Sequence, residues 1–369
     1  MNERVRILYI TNIPSPYRVL FFEMLGKKCD LTVVFEQEAS ADRDDSWSVN
    51  EFTCFKAIFC KGLKVSADHS VSLVPLKYLK RDTYDYIIIT NNVSVCGLIE
   101  ITQCKLLGVD YFIEGDGAFV PKEETTFKRL IKRYLIRGAK GYFSTCKNHD
   151  KYYIYYGAEE SSIYRYTFSS VSKTKITDVI CDVNEQIELK TKLGMNNTKS
   201  IIFVGSFIKR KGVDILLEIA KRLDNIDFYF AGGLEIPKEL WTGDVPENVH
   251  LLGFILPEKL ADYYKCVDLM VLPTREDIWG LVVNEALSCG CPVITTDRCN
   301  AGLELISEDI NGFIVEDYGV ESFIYYINKF FSLSETEKRQ MREQAIQSVL
   351  DCTVERMVDA HIKFLKKLK

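Results

Sequence analysis

Two carboxylates with seven residues between them, Asp277 and Glu285, stand in the stretch T-R-E-D-I-W-G-L-V-V-N-E-A-L-S-C-G-C-P from Thr274 to Pro292. A helix starting near Gly280 leaves its first N–H groups, at Gly280, Leu281 and Val282, without intrahelical acceptors. The aligned peptide dipoles make such an end attract anions. Glu285 falls in the second turn among Leu281, Val282, Val283, Ala286 and Leu287, where a carboxylate costs free energy unless hydrogen bonds reach it. Sugar hydroxyls are suitable donors. The plainer reading of the same residues is a core helix with one capped carboxylate.

A second cluster is G-S-F-I-K-R-K-G, from Gly205 to Gly212. Glycine lets a backbone approach a phosphate closely, and Lys209, Arg210 and Lys211 add positive charge at the mouth of the next helix. A nucleoside diphosphate needs that compensation. A solvated basic turn is the alternative, and the presence of Asp277 and Glu285 after a strand of the same half favours a shared site. In the first half, Asn12, Arg18, Asn91, Glu114 and Asp116 each follow a β-rich run. In open parallel sheets ligands bind beyond the carboxyl ends of strands, so these five are candidates for a second set of contacts, against the alternative of ordinary turn residues.

Those positions require strands and helices in alternation, and the chain supplies them. Strands are expected at Val5 to Thr11, Leu31 to Phe35, Tyr86 to Thr90 and Tyr111 to Ile113. After a break the pattern resumes at Ser200 to Val204, Asp227 to Ala231, Leu251-Leu252, Leu269 to Leu272 and Val293 to Thr296, with a helix over Val213 to Lys221. Such alternation predicts an α/β fold with parallel sheets wrapped by helices. The polar segment Ser169 to Lys199 marks the boundary. The expected division is 1–170, a linker at 171–199, 200–350, and a C-terminal amphipathic helix at 351–369 that packs back on the first domain or lies on the surface. No G-x-G-x-x-G follows the first strand, which argues against a dehydrogenase.

At 369 residues, 47% hydrophobic and 12% aromatic, the chain suits two well-packed domains. Its net charge of −5 argues against a nucleic-acid binder. With neither a twenty-residue apolar run nor a signal-peptide pattern, the expected place is the cytosol or the cytosolic membrane face. The twelve cysteines are scattered and read as reduced, and the four histidines show no metal-ligand spacing. One segment, 122–140, is strongly basic. Phe127, Leu130, Ile131, Tyr134 and Leu135 form an apolar stripe beside Lys128, Arg129, Lys132, Arg133 and Arg137. The stripe is expected to pack on the sheet; docking on anionic lipid is the other use of such a helix.

Taken in order, the second-half motifs resemble the donor-binding domain of glycosyltransferase family four. They are G-x-x-x-x-x-K-G at Gly205 to Gly212, F-A-G-G at Phe230 to Gly233, L-L-G-F at Leu251 to Phe254, D-L-M-V-L-P-T at Asp268 to Thr274, D-I-W-G-L-V-V-N-E-A at Asp277 to Ala286 and G-C-P-V-I at Gly290 to Ile294. The resemblance implies the GT-B fold, two facing Rossmann-like domains with an interdomain cleft, the first binding an acceptor and the second a nucleotide sugar. It implies that Asp277, in place of the more usual glutamate, meets the donor sugar and Glu285 the ribose. Gly280, Leu281 and Val282 would meet the diphosphate or sugar, Lys211 would hold the diphosphate beside Gly205, and Phe254 with Ile255 would border the base. The family's arginine after the first loop glycine is Ser206 here, leaving Lys209 or Arg210 to supply its charge. The family's first-domain histidine is replaced by Glu114-Gly115-Asp116, so Asp116 takes the catalytic position there, with Asn12, Arg18 and Glu114 on the acceptor side. The implied reaction moves a sugar from a UDP- or GDP-linked donor to a saccharide or lipid-linked saccharide hydroxyl, with retention and without a metal, in bacterial surface polysaccharide synthesis. A sugar-nucleotide 2-epimerase of the same architecture and a noncatalytic nucleotide-sugar-binding protein remain as alternatives.

Overall fold

Apolar runs with almost no alternation, such as Ile7-Leu8-Tyr9-Ile10 and Leu269-Met270-Val271-Leu272, are strands buried on both faces, as parallel strands flanked by helices must be. A computed structural model describes residues 4–37, 52–60, 63–64, 70–90 and 93–367. The chain divides into two units, one formed by residues up to Ser170 together with those from Val354, the other by Val171–Thr353.

In the first unit the chain runs β1 (Arg6–Thr11), α1 (Pro16–Gly26), β2 (Asp30–Phe35), β3 (Lys56–Phe59), the small antiparallel pair β4 (Leu63–Lys64) and β5 (Ser70–Val71), β6 (Tyr86–Ile89) and α2 (Val95–Leu107). It continues through β7 (Phe112–Glu114), α3 (Thr126–Ile136), β8 (Gly141–Ser144), α4 (Lys147–Tyr155) and β9 (Ile163–Arg165). Seven of these strands form one parallel sheet in the order β3-β2-β1-β6-β7-β8-β9. The order reverses at β1, so the loops after β1 and β7 open at the same edge of the sheet, where a doubly wound fold places its ligands.

The second unit runs α5 (Val183–Lys192), β10 (Ser200–Val204), α6 (Val213–Arg222), β11 (Asp227–Ala231), β12 (Val249–Gly253), α7 (Pro257–Cys266), β13 (Leu269–Leu272) and α8 (Leu281–Ser288). Then come β14 (Val293–Thr296), α9 (Asn300–Leu305), β15 (Gly312–Val315), α10 (Val320–Ser332) and α11 (Glu335–Val349). Its six strands are parallel in the order β12-β11-β10-β13-β14-β15. Here the reversal lies between β10 and β13, the two strands that lead into the Gly205–Gly212 loop and the Thr274–Gly280 segment. Capping boxes fix two helix starts, Asp182 with Glu185 at α5 and Ser334 with Glu337 at α11.

The last helix, α12 (Val354–Lys367), belongs to the first unit. Its face of Val354, Met357, Val358, His361 and Leu365 is buried, it packs beside α1, and the Tyr86 hydroxyl donates to the Leu365 carbonyl. The stripe of α3 departs from expectation. Only its last turn, Leu135 and Ile136, is buried, whereas Phe127, Leu130 and Tyr134 are exposed. The helix is anchored instead by polar contacts: Lys132 pairs with Glu124 at 2.6 Å and the Arg129 guanidinium lies 4.6 Å from the centre of the Tyr155 ring. Among the described residues no helix is long and apolar enough to cross a membrane.

Candidate functional site

In the second unit β10 delivers the chain to Gly205, and the basic residues Lys209–Lys211 form a single 3-10 turn ended by Gly212. Gly212 has φ +75°, and a Cβ there would lie 1.9 Å from the Pro273 carbonyl oxygen. Only glycine lets this loop rest against the end of β13. That contact sets Lys211 beside Asp277: the ammonium and the carboxylate form an ion pair, their side chains 15% and 9% exposed. Asp277 is held from behind, its N–H donating to the Arg298 carbonyl at 2.7 Å and its own carbonyl accepting from Asn300 N–H at 3.3 Å.

Three residues on, Gly280 has φ +99°, and a Cβ would lie 2.6 Å from Cys299 Sγ and 3.5 Å from an Asp277 carboxylate oxygen. The chain turns there into α8, whose start carries no side-chain cap. Trp279, buried, donates from Nε1 to Asn284 Oδ1 at 2.8 Å and so fastens the turn to the helix it precedes. The result is an ammonium, a carboxylate and uncapped helix N–H groups at neighbouring strand ends. That set can neutralise an anion and accept a hydrogen bond from a hydroxyl next to it.

Leu281 and Val282 are half-buried at the first turn of α8, and Phe254 is exposed just past β12. Glu285, expected to be buried, is half-buried in the second turn, and its charge helps raise the phenol pKa of buried Tyr264, where burial is the larger cause. Lys209 and Arg210 are both exposed. The Arg210 guanidinium donates to the Glu276 carbonyl at 2.7 Å.

In the first unit the candidates at the end of β7 form an ion-pair network. Arg18, on α1, donates to Glu114 Oε1 at 2.7 Å and also pairs with Asp116. Tyr166 donates to the same Glu114 oxygen at 2.8 Å, Tyr17 donates to Asp116 Oδ2 at 2.6 Å, and His361 Nε2 lies 3.5 Å from Glu114 Oε2. Burial alone would raise the Glu114 carboxyl pKa, but Arg18 and His361 outweigh it and hold the group well below the usual carboxylate range. Burial, and then the Asp116 charge, push the Tyr17 phenol up.

This corrects two expectations. Glu114 and Arg18 are interior groups, 0% and 4% exposed, and do not line a surface. A charge so deep must be paired, and they pair with each other. Of Arg18, Glu114 and Asp116, Asp116 is the one that reaches solvent, its side chain 27% exposed. Asn12 is half-buried and its Oδ1 accepts from Ile13 N–H at 2.8 Å. Asn91 lies outside the described residues. Sequence reading missed Tyr17, Tyr166, His361 and His149. His149 sits behind Gly115, where a Cβ would approach its ring to 3.1 Å, and burial pushes its pKa down to about 3. Its place in the helix after β8 gave no motif to find it by.

Residues 185–348 match the family described as glycosyl transferases group 1. The chain is 30% identical over 148 residues to alpha-galactosylglucosyldiacylglycerol synthase of Streptococcus pneumoniae, a match covering 34% of this chain and 39% of that protein. It thus spans about two fifths of the length of that curated relative. Among solved structures it superposes on sucrose-phosphate synthase from Thermosynechococcus elongatus with TM-score 0.77 at 13% identity, covering 98% of this chain and 99% of that one. It also superposes on Anabaena HepE in complex with UDP, with TM-score 0.75 at 14% identity, covering 99% of both chains. The match to the group 1 glycosyl transferases thus lies in residues 185–348, and with two parallel α/β sheets and superposition across the whole chain the protein has the GT-B fold.

Proposed function

We propose that this protein is a glycosyltransferase that moves a sugar from a nucleoside-diphosphate donor to an acceptor hydroxyl. The observation that carries the reading is the Lys211–Asp277 pair beside the uncapped start of α8. Lys211 and those N–H groups receive the diphosphate, Asp277 accepts from a sugar hydroxyl, Glu285 meets the ribose, and Gly205, Arg210 and Phe254 border the nucleotide. In the transfer the bond from the anomeric carbon to the diphosphate breaks with its electron pair leaving on phosphate. A bond from the acceptor oxygen forms on the same face, and the acceptor proton passes to the departing diphosphate. Lys211 stabilises the charge developing there without a metal. UDP is the first donor base to try, since one similar structure holds UDP. In the first unit Asp116, oriented by Arg18 and Tyr17, is the group that meets the acceptor.

A panel of UDP- and GDP-sugars in a thermal-shift screen identifies the donor by mass action. Nucleoside diphosphate is then released only when a saccharide acceptor is added, in the presence of EDTA as well, and Lys211→Ala slows release by two orders of magnitude or more with the melting curve intact. Full turnover in Lys211→Ala removes the reading. Release without acceptor favours donor hydrolysis, and a changed sugar without release favours an epimerase.

Membrane contact belongs to the same proposal, with surface polysaccharide as the product and the inner face of the cell membrane as the place. On α3, Phe127, Leu130 and Tyr134 are 72%, 59% and 44% exposed and flanked by Lys128, Arg129 and Arg133. That combination suits anionic headgroups. Changing Lys128, Arg129, Lys132 and Arg133 to Glu abolishes cosedimentation with phosphatidylglycerol-containing vesicles; unchanged cosedimentation rules this face out.

A further inference from the structure

We propose that Arg275, locked by Asp214, is the positioning residue for Lys211. The inference rests on the donor-site reading above. Lys211 ends a three-residue turn, and a turn of that length does not by itself fix the direction of a long side chain. One guanidinium brackets it. Arg275 Nη1 and Nη2 donate to the two Asp214 carboxylate oxygens, both at 2.8 Å, and Nη1 also donates to the Lys209 carbonyl at 2.6 Å. Lys209 opens the turn and Asp214 lies in the first turn of α6 just beyond it, so a single side chain holds the segment on both sides of Lys211.

The backbone of the same strand end completes the grip. Arg275 N–H donates to the Arg210 carbonyl at 2.8 Å and Thr274 Oγ1 donates to the same oxygen at 3.0 Å. Asp277 follows two residues after Arg275. The bracket therefore fixes the ammonium of Lys211 and the carboxylate of Asp277 to one short piece of chain. Arg275 has both halves of its fork occupied by Asp214, which leaves it no free bidentate face for a phosphate. A planar, two-point grip of this kind is one that lysine cannot reproduce.

The test is a double-mutant cycle read by calorimetric titration with UDP, or with whichever nucleoside diphosphate the wild-type protein binds among UDP, GDP, ADP and dTDP. Arg275→Ala weakens binding about tenfold or more in the wild-type background and less than twofold in Lys211→Ala, because with no ammonium left there is nothing to position. Arg275→Lys, which keeps the charge, behaves like Arg275→Ala. Asp214→Asn, which approaches the bracket from its other side and leaves Arg275 in place, loses affinity in the same direction with a native circular-dichroism spectrum. Equal losses in both backgrounds, or full affinity in Arg275→Lys, overturn the inference while leaving the donor site standing. A wild-type protein that binds none of the four diphosphates overturns the donor-site reading and this inference with it.

Discussion

Asp277→Asn separates two jobs of one carboxylate. Asp277 pairs with the ammonium that, in the proposed function, receives the diphosphate. The two side chains are 15% and 9% exposed, and two unit charges about 4 Å apart attract by roughly 4 kcal/mol at an effective dielectric of ~20. Desolvation of both groups offsets most of that attraction. If about a third survives, a diphosphate competing for Lys211 forfeits ~1.4 kcal/mol, a factor of about ten in affinity. The amide keeps the shape and removes both the competing charge and its repulsion of phosphate. Calorimetric titration should therefore show the nucleoside diphosphate binding about tenfold tighter to Asp277→Asn. Turnover of the nucleotide sugar should fall on the order of thirtyfold, the worth of roughly 2 kcal/mol for a charged acceptor to a sugar hydroxyl. A variant that loses catalysis and gains product affinity is an uncommon combination. Equal or weaker diphosphate affinity would refute the idea that Asp277 competes for Lys211.

Two further outcomes concern stability. Glu100, on α2, is 1% exposed, and neither of its carboxylate oxygens has a hydrogen-bond partner among the described residues. Burial, then the charge of Glu36, push its pKa from 4.5 up to about 8. Between those values the folded chain keeps a proton that the unfolded chain has released, so stability falls as pH rises through this window. Glu100→Gln should melt with wild type near pH 4.5 and several degrees above it at pH 8; identical melting at pH 8 would contradict this. Gly212→Ala should lower the urea midpoint and weaken diphosphate binding together, since its Cβ would sit 1.9 Å from the Pro273 carbonyl. Gly194→Ala, at φ +69° with nothing within 4 Å, bears only the roughly 1–2 kcal/mol of left-handed strain and should keep the ligand; matching losses in the two variants would dismiss the close approach as the cause.

The strands of the second unit were legible because a buried parallel strand is a short, continuous apolar run. Ser200–Val204, Asp227–Ala231, Leu269–Leu272 and Val293–Thr296 fall where those runs lie. Gly312–Val315 was not seen, since three apolar residues opened by glycine carry no period of their own; Gly141–Ser144 was not seen either, and Ile163–Arg165 lay hidden inside the aromatic-rich stretch from Tyr152 to Phe168. In the candidate site the residue types were readable and their partners were not. Lys211 and Asp277 are 66 positions apart, and their meeting depends on Gly212 touching Pro273, a contact between loops that no periodicity reports. Glu114 looked like a cleft residue because it is polar and ends a strand; its burial depends on Arg18, Tyr166 and a histidine from the far end of the chain. For α3 the spacing identified an apolar face correctly, yet a spacing is silent about what, if anything, covers it.

The excursion of the chain has a bearing on how it is made. The first unit is left at Ser170 and re-entered at Val354, and His361 completes the ring of groups around Glu114, stacking on Phe143 at 4.5 Å with 12° between planes. A ribosome delivering this chain thus emits the whole of the second unit before it supplies the imidazole. Until then the nascent first unit carries a sheet whose innermost carboxylate lacks one of its neighbours and an α1 surface with no helix laid against it. The segment from Val354 seals a unit whose strands are all made before the second unit.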